Sequence, residues 1–170
     1  GLGPNPSFDS VIDTGHARIR ALAAELGIAL DDLLEGDSDH ETWFFDGRAI
    51  GEDELVRAFL PVAAAIERDL ASAGDGAYDH TDNNPAFRAL DAMSISQWFD
   101  RNGVTGWLRK LLDVAYTTEM GLEIEQQSAL NFLTFVGTED EDAFKIFGES
   151  DERFHVRGGN DLIPQALAAK

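Results

Sequence analysis

Two adjacent glycines, Gly158 and Gly159, separate a run that alternates every second residue from a run with a helix-start signature. Phe154 and Val156 alternate with His155 and Arg157, the period of a half-buried strand. After the glycines, Asn160 or Asp161 is placed to cap a helix. Pro164 falls in that helix's first turn, where amides have no helical partner to lose. Glycine lets a backbone turn sharply or pass close to another group. A helix N-terminus beside such a pair can also meet an anion. Residues 153–168 therefore predict strand, turn and helix, and leave open whether the turn is only a connector or also faces a ligand.

The other periodic stretches are mostly helical. Ser94-Ile95-Ser96-Gln97 is a capping box, with Met93 and Trp98 as the hydrophobic staple across it. That helix ends near Gly103. Thr105 caps the next, which places Leu108, Leu111, Leu112, Ala115 and Tyr116 on one face and stops at Gly121. A third helix is expected over 125–136, burying Ala129, Leu130, Leu133 and Val136. Short connections between capped helices predict an antiparallel cluster. Asp53 and Glu54 open a long helix reaching Ala73, with an apolar stripe of Leu55, Phe59, Val62, Ile66 and Leu70. Pro61 inside it predicts a kink. Thr14 is expected to cap a helix through Leu26, stopped by Gly27, after a short strand over 7–13. Asp46-Gly47 between apolar runs predicts a tight hairpin over 42–50, with Trp43 to Phe45 as its aromatic half, packing into the core or, alternatively, forming a ligand-facing wall. The expected fold is α+β and predominantly helical: an antiparallel helix cluster with a small sheet built from that hairpin and the strand at 153–157. One domain is expected over 1–170, with 1–8 as a linker or tag remnant.

Charge narrows the partners. The 32 acidic and 13 basic residues give a formal net charge of −19. Such a surface repels phosphate backbones and anionic membranes, so neither nucleic acid nor membrane is an expected partner. No apolar run approaches the roughly 18 residues of a membrane span, and a soluble, cytoplasmic protein is expected. There are no cysteines, which removes disulfides and thiolate chemistry. The polar loop 74–85 fails the calcium-loop test. Counted from Asp79, its sixth position is Asn84, where a glycine is needed, and its twelfth is Leu90, where a glutamate is needed. His16 is a lone histidine, expected in a surface or boundary role rather than in ligation or acid–base work. Glu139 to Asp142 predict an exposed turn. No metal site is expected and no catalytic residue is assigned.

Phe-His-Val-Arg-Gly-Gly-Asn-Asp-Leu-Ile-Pro-Gln-Ala-Leu-Ala over 154–168 resembles the segment by which flavin-dependent amine oxidases return from substrate domain to FAD domain. That family includes monoamine, polyamine and L-amino-acid oxidases. Residues 144–152 are similar to bacterial members. The run from Ser94 to Leu133 resembles the family's helical substrate domain, and 11–27 its entry into that domain. The resemblance implies a substrate-binding segment of an enzyme that oxidises a small amine or amino acid to an imine with peroxide release. It also implies FAD in the full-length enzyme, and an FAD-binding domain of the same protein as partner. Gly158, Gly159 and Asn160 would form the domain-boundary turn near the flavin. Tyr116 and Glu119 would fall at the wall of the substrate cavity. Two departures stand out. Phe8-Asp9 occupies the place of the family's glycine pair. Gly1-Leu2-Gly3 is followed by Pro-Asn-Pro, where a dinucleotide-binding turn needs a third glycine and a helix. No FAD is therefore expected on this chain alone. The alternative is an autonomous, non-catalytic α+β binding or interaction module.

Overall fold

In a computed structural model, described over residues 11–35, 43–74, 84–138, 144–148 and 150–170, the glycine pair joins a strand to a helix as its sequence predicts. Strand β4 is Phe154–Val156 and helix α7 is Leu162–Ala168. Gly158 and Gly159 have φ of 96° and 111°, values that strain any residue with a Cβ.

The chain divides into two compact units. One is discontinuous, Gly1–His40 with Ser150–Lys170; the other is continuous, Glu41–Glu149. The discontinuous unit holds α1 (Ala17–Glu25), β1 (Leu30–Asp32), β4 and α7. β1 pairs antiparallel with β4, Leu30 opposite Val156 and Asp32 opposite Phe154. Ile12 bridges to Phe154 through reciprocal backbone bonds of 2.7 and 2.9 Å. Two expectations are corrected here. The strand at 153–157 pairs with β1 rather than sharing a sheet with the hairpin. Thr14 does not cap α1: His16 holds that position without a side-chain bond, and the Thr14 N–H instead donates to Asp151 Oδ1 at 2.7 Å.

The continuous unit begins with the predicted hairpin, β2 (Trp43–Phe45) and β3 (Arg48–Ile50), in register Trp43 to Ile50. Asp46 and Gly47 at its turn have φ of 50° and 81°, the positive pair that a tight hairpin requires. Helix α2 spans Glu52–Ala73 and is continuous through Pro61, burying Leu55, Phe59, Val62 and Ile66 as the stripe predicts. Helix α3 (Pro85–Asp91) begins at Asn84, whose side chain accepts from the Ala86 N–H and donates to the Ala73 carbonyl. α4 (Ile95–Asn102) starts at the expected capping box. Ser94 Oγ accepts from the Gln97 N–H at 3.1 Å, and Gln97 Oε1 accepts from the Ser94 N–H at 2.9 Å. α5 (Gly106–Met120) buries all five predicted core residues and ends at Gly121 in the left-handed region. Thr105 occupies its N-cap position without a side-chain bond.

The third helix of the cluster is shorter than expected: α6 covers Ala129–Leu133. The Ile95 N–H donates to the Gln127 carbonyl and the Ser96 N–H to the Ile124 carbonyl, both at 3.1 Å. A helix through 125–128 would have claimed such carbonyls for itself. Spent on the start of α4, they hold that segment as a turn, and Ser128 then caps α6 by accepting from the Leu130 N–H. The core gathers from Ile50 to Ile146, with Trp98, Phe99, Tyr116 and Phe132 fully buried and edge-to-face or tilted at its centre. The polar loop tested for calcium, the acidic run and the 1–8 segment fall largely or wholly outside the described residues.

Candidate functional site

In the discontinuous unit, an open groove of about 390 Å³ is lined by Val11, Ile12, Ile19, Ile163 and Pro164, with His16 and Asn160 supplying its polar groups. That volume is within the range of small-ligand sites. Ile12 is positioned by its bridge to β4, Ile19 by α1, and Ile163 and Pro164 by the first turn of α7. Of the residues singled out from the sequence, Asn160 and His16 are brought together here.

The glycine turn beside the groove is filled from inside the chain. A Cβ on Gly158 would lie 3.1 Å from Leu162 Cδ1, and one on Gly159 2.8 Å from Asp161 Oδ1. The Leu162 and Ile163 amides already donate to the Gly159 and Asn160 carbonyls. Asp161 also places a carboxylate at the start of α7, where it accepts from Gln165 Nε2 at 2.7 Å. The helix dipole and free amides that would draw an anion are thus largely answered locally.

Tyr116 and Glu119 lie in the continuous unit. Tyr116 is fully buried; its hydroxyl donates to the Ile146 carbonyl at 2.7 Å, and its ring meets Phe132 edge-on at 5.0 Å. Burial, with Glu119 nearby, pushes its phenol far above the usual tyrosine range, so it stays neutral and donates. Glu119, three residues on, is exposed. Tyr116 therefore pins the 144–148 segment, and Glu119 is the member of the pair that solvent reaches.

Two polar clusters escape the sequence pattern. Asp69 is buried on the apolar stripe of α2 and accepts from Trp98 Nε1 at 2.8 Å, from Arg68 Nε at 3.2 Å and from Arg101. A charged residue in register with Leu55, Val62 and Ile66 is the available signal. Gln127 is buried as well, its amide donating to the Tyr116 and Leu122 carbonyls while its Oε1 has no partner. Among the described residues, no group of three or more His, Cys, Asp or Glu is placed to hold a metal ion, and no helix is long and apolar enough to cross a membrane.

No family model and no curated protein matches the sequence. Solved structures do match the fold. A mutant of putrescine oxidase, from a structure-based redesign of its cofactor binding, aligns over 94% of this chain and 36% of its own, with TM-score 0.62 and 16% identity. Wild-type putrescine oxidase bound to putrescine aligns over 95% of this chain and 37% of its own, with TM-score 0.60 and 15% identity. At that identity the likeness is one of fold. The chain spans little more than a third of the length of these structures.

Proposed function

We propose that this chain is the substrate-binding segment of an FAD-dependent amine oxidoreductase that oxidises an amine or amino acid to an imine with release of peroxide. The observation that carries the reading is the fold, α+β and predominantly helical, which resembles that of putrescine oxidase over nearly all of this chain. Residues 1–170 would then act as one substrate domain, and the partner would be an FAD-binding domain of the same protein.

The residues here do not fit the task of holding FAD unaided. The glycine turn is closed by Leu162 and Asp161, and a carboxylate stands where a pyrophosphate would be drawn. Gly158, Gly159 and Asn160 are left the role of a boundary turn near the cofactor. Tyr116 would be a positioning residue for the cavity wall, acting through the Ile146 carbonyl. Glu119, exposed and anionic, suits an ammonium group. FAD, when bound, supplies the two-electron acceptor that no side chain of this chain offers.

The test uses the full-length polypeptide that carries this sequence. Its visible spectrum and its peroxide release with putrescine, other amines and amino acids are compared with those of the 170-residue chain. Flavin absorbance near-stoichiometric to protein and peroxide above a no-protein control are expected only for the longer protein. A colourless longer protein that releases no peroxide would sink the proposal and leave the non-catalytic module.

A further inference from the structure

We propose that the discontinuous unit is an acid-released clasp, in which protonation of the carboxylates joining residues 11–35 to 150–170 frees the C-terminal segment while the continuous unit stays folded. Five carboxylates make these joins. Asp13 Oδ1 accepts from Ser150 Oγ at 2.9 Å and from the Asp151 and Glu152 amides at 3.1 and 2.8 Å. Asp151 answers by accepting from the Thr14 N–H. Asp32 takes both Arg153 Nε and Nη2 at 3.0 and 2.7 Å. Asp31 takes Arg157 Nε at 2.7 Å. Glu25 takes Lys170 Nζ at 2.8 Å. Each contact crosses between the two segments, more than 120 residues apart in sequence. The apolar part is smaller than that of the continuous unit: Ile12, Val156 and Ile163 are buried, and Ile19, Leu22, Leu26, Ile28, Leu30, Phe154 and Leu162 pack against them only partly buried.

The charged surroundings fix the direction of the response. Asp31 faces Arg157 and His155; Asp32 faces Arg153 and Asp151; Asp151 faces Thr14 and Arg153; Arg153 also faces Glu35. Asp13 faces His16 at 3.5 Å. Protonated histidines at 16 and 155 add attraction to Asp13 and Asp31, so they do not open the clasp. Hydrogen bonds from Arg157, Arg153, Thr14 and Lys170 hold Asp31, Asp32, Asp151 and Glu25 below the ordinary carboxylate range. A carboxylate so held stabilises the fold above its unfolded pKa, and that contribution is lost as pH falls through the folded value. The window is therefore near and below about pH 4. In the continuous unit Arg48 likewise holds Glu54 below the ordinary carboxylate range, but that exposed pair joins residues only six apart. The apolar cluster that holds the unit together does not titrate.

The three tryptophans, Trp43, Trp98 and Trp107, all lie in the continuous unit and report on it. Trp98 Nε1 donates to Asp69, so disruption of that buried contact registers in the same emission. Peptide-resolved hydrogen exchange, corrected for the intrinsic rate, reports the clasp. On acidification of the 170-residue chain, β1, β4 and α7 should lose protection at a higher pH than that at which tryptophan emission changes. The double variant Asp32→Asn, Asp151→Asn should show the same loss at neutral pH with native emission. One coincident transition in both units overturns the proposal. So does a double variant that keeps wild-type protection of β4 at neutral pH.

Discussion

In the continuous unit an apolar cluster runs from Ile50 to Ile146 and Asp69, the one buried carboxylate among its described residues, sits inside a ring of donors. In the discontinuous unit the buried cluster is Ile12, Val156 and Ile163, and the two chain segments meet through exposed or half-buried ion pairs. Apolar burial is insensitive to pH and salt to first order, whereas exposed pairs are screened and individually weak. Two units of one chain thus differ in what can undo them. Truncation of a core side chain should dominate in the first, and charge or backbone geometry in the second.

Trp98→Ala gives the largest expected effect. The indole is fully buried against Phe99 and Phe132 and donates to Asp69. Its removal leaves a cavity and deprives a buried carboxylate of one donor, for a loss of about 3–5 kcal/mol. A urea midpoint unchanged from wild type would show that this core does not carry the unit. Tyr116→Phe should come next, at about 1–3 kcal/mol, because the Ile146 carbonyl loses its partner in an apolar setting. A neutral result there would mean that water reaches Ile146, and with it the wall assigned to substrate.

Gly159→Ala turns the comparison round. The φ of 111° strains any Cβ, and the new methyl would meet Asp161 Oδ1 at 2.8 Å. A cost of about 1–2 kcal/mol is expected from backbone strain. It should be read by hydrogen exchange at β4 and α7, with tryptophan emission unaltered. Emission that shifts together with exchange would show the two units folding as one.

The legibility of each element in the sequence depends on the range of the interaction behind it. Ser94 with Gln97, Asp46-Gly47, and the glycines at 103 and 121 act within a few residues, and each performs as its local pattern predicts. The Asn84-Pro85 start of α3 is equally local: an N-cap followed by proline at the first helical position is a readable signal. β1 is not legible, for a different reason. Asp31 and Asp32 are poor strand formers, and they are held in place by Arg157 and Arg153 from the far end of the chain. The length of α6 is hidden likewise, because its competitor is the start of α4. At the candidate site, the glycine turn is visible in the sequence and the groove is not, since its walls come from residues 11–19 and 160–164 together.

Phe44→Thr should have the smallest effect. The aromatic run Trp43-Phe44-Phe45 reads in sequence as one core-packing half of the hairpin. In β2 the residues alternate: Trp43 and Phe45 pack against the core cluster, while Phe44 is 66% exposed. Its strand neighbour across the hairpin is Ala49, which is exposed as well. Threonine keeps the β-branched preference of a strand, and little apolar area leaves water in the fold for phenylalanine to lose. The change in stability should stay within about 0.5 kcal/mol, the usual range for surface substitutions. The hairpin should keep its register, because Asp46-Gly47 and the Lys110–Asp46 pair at 2.6 Å are untouched. A loss above about 1 kcal/mol would mean that Phe44 is covered in the folded protein. The continuous unit would then extend past the boundary drawn from its buried residues, and the contrast with the discontinuous unit would widen.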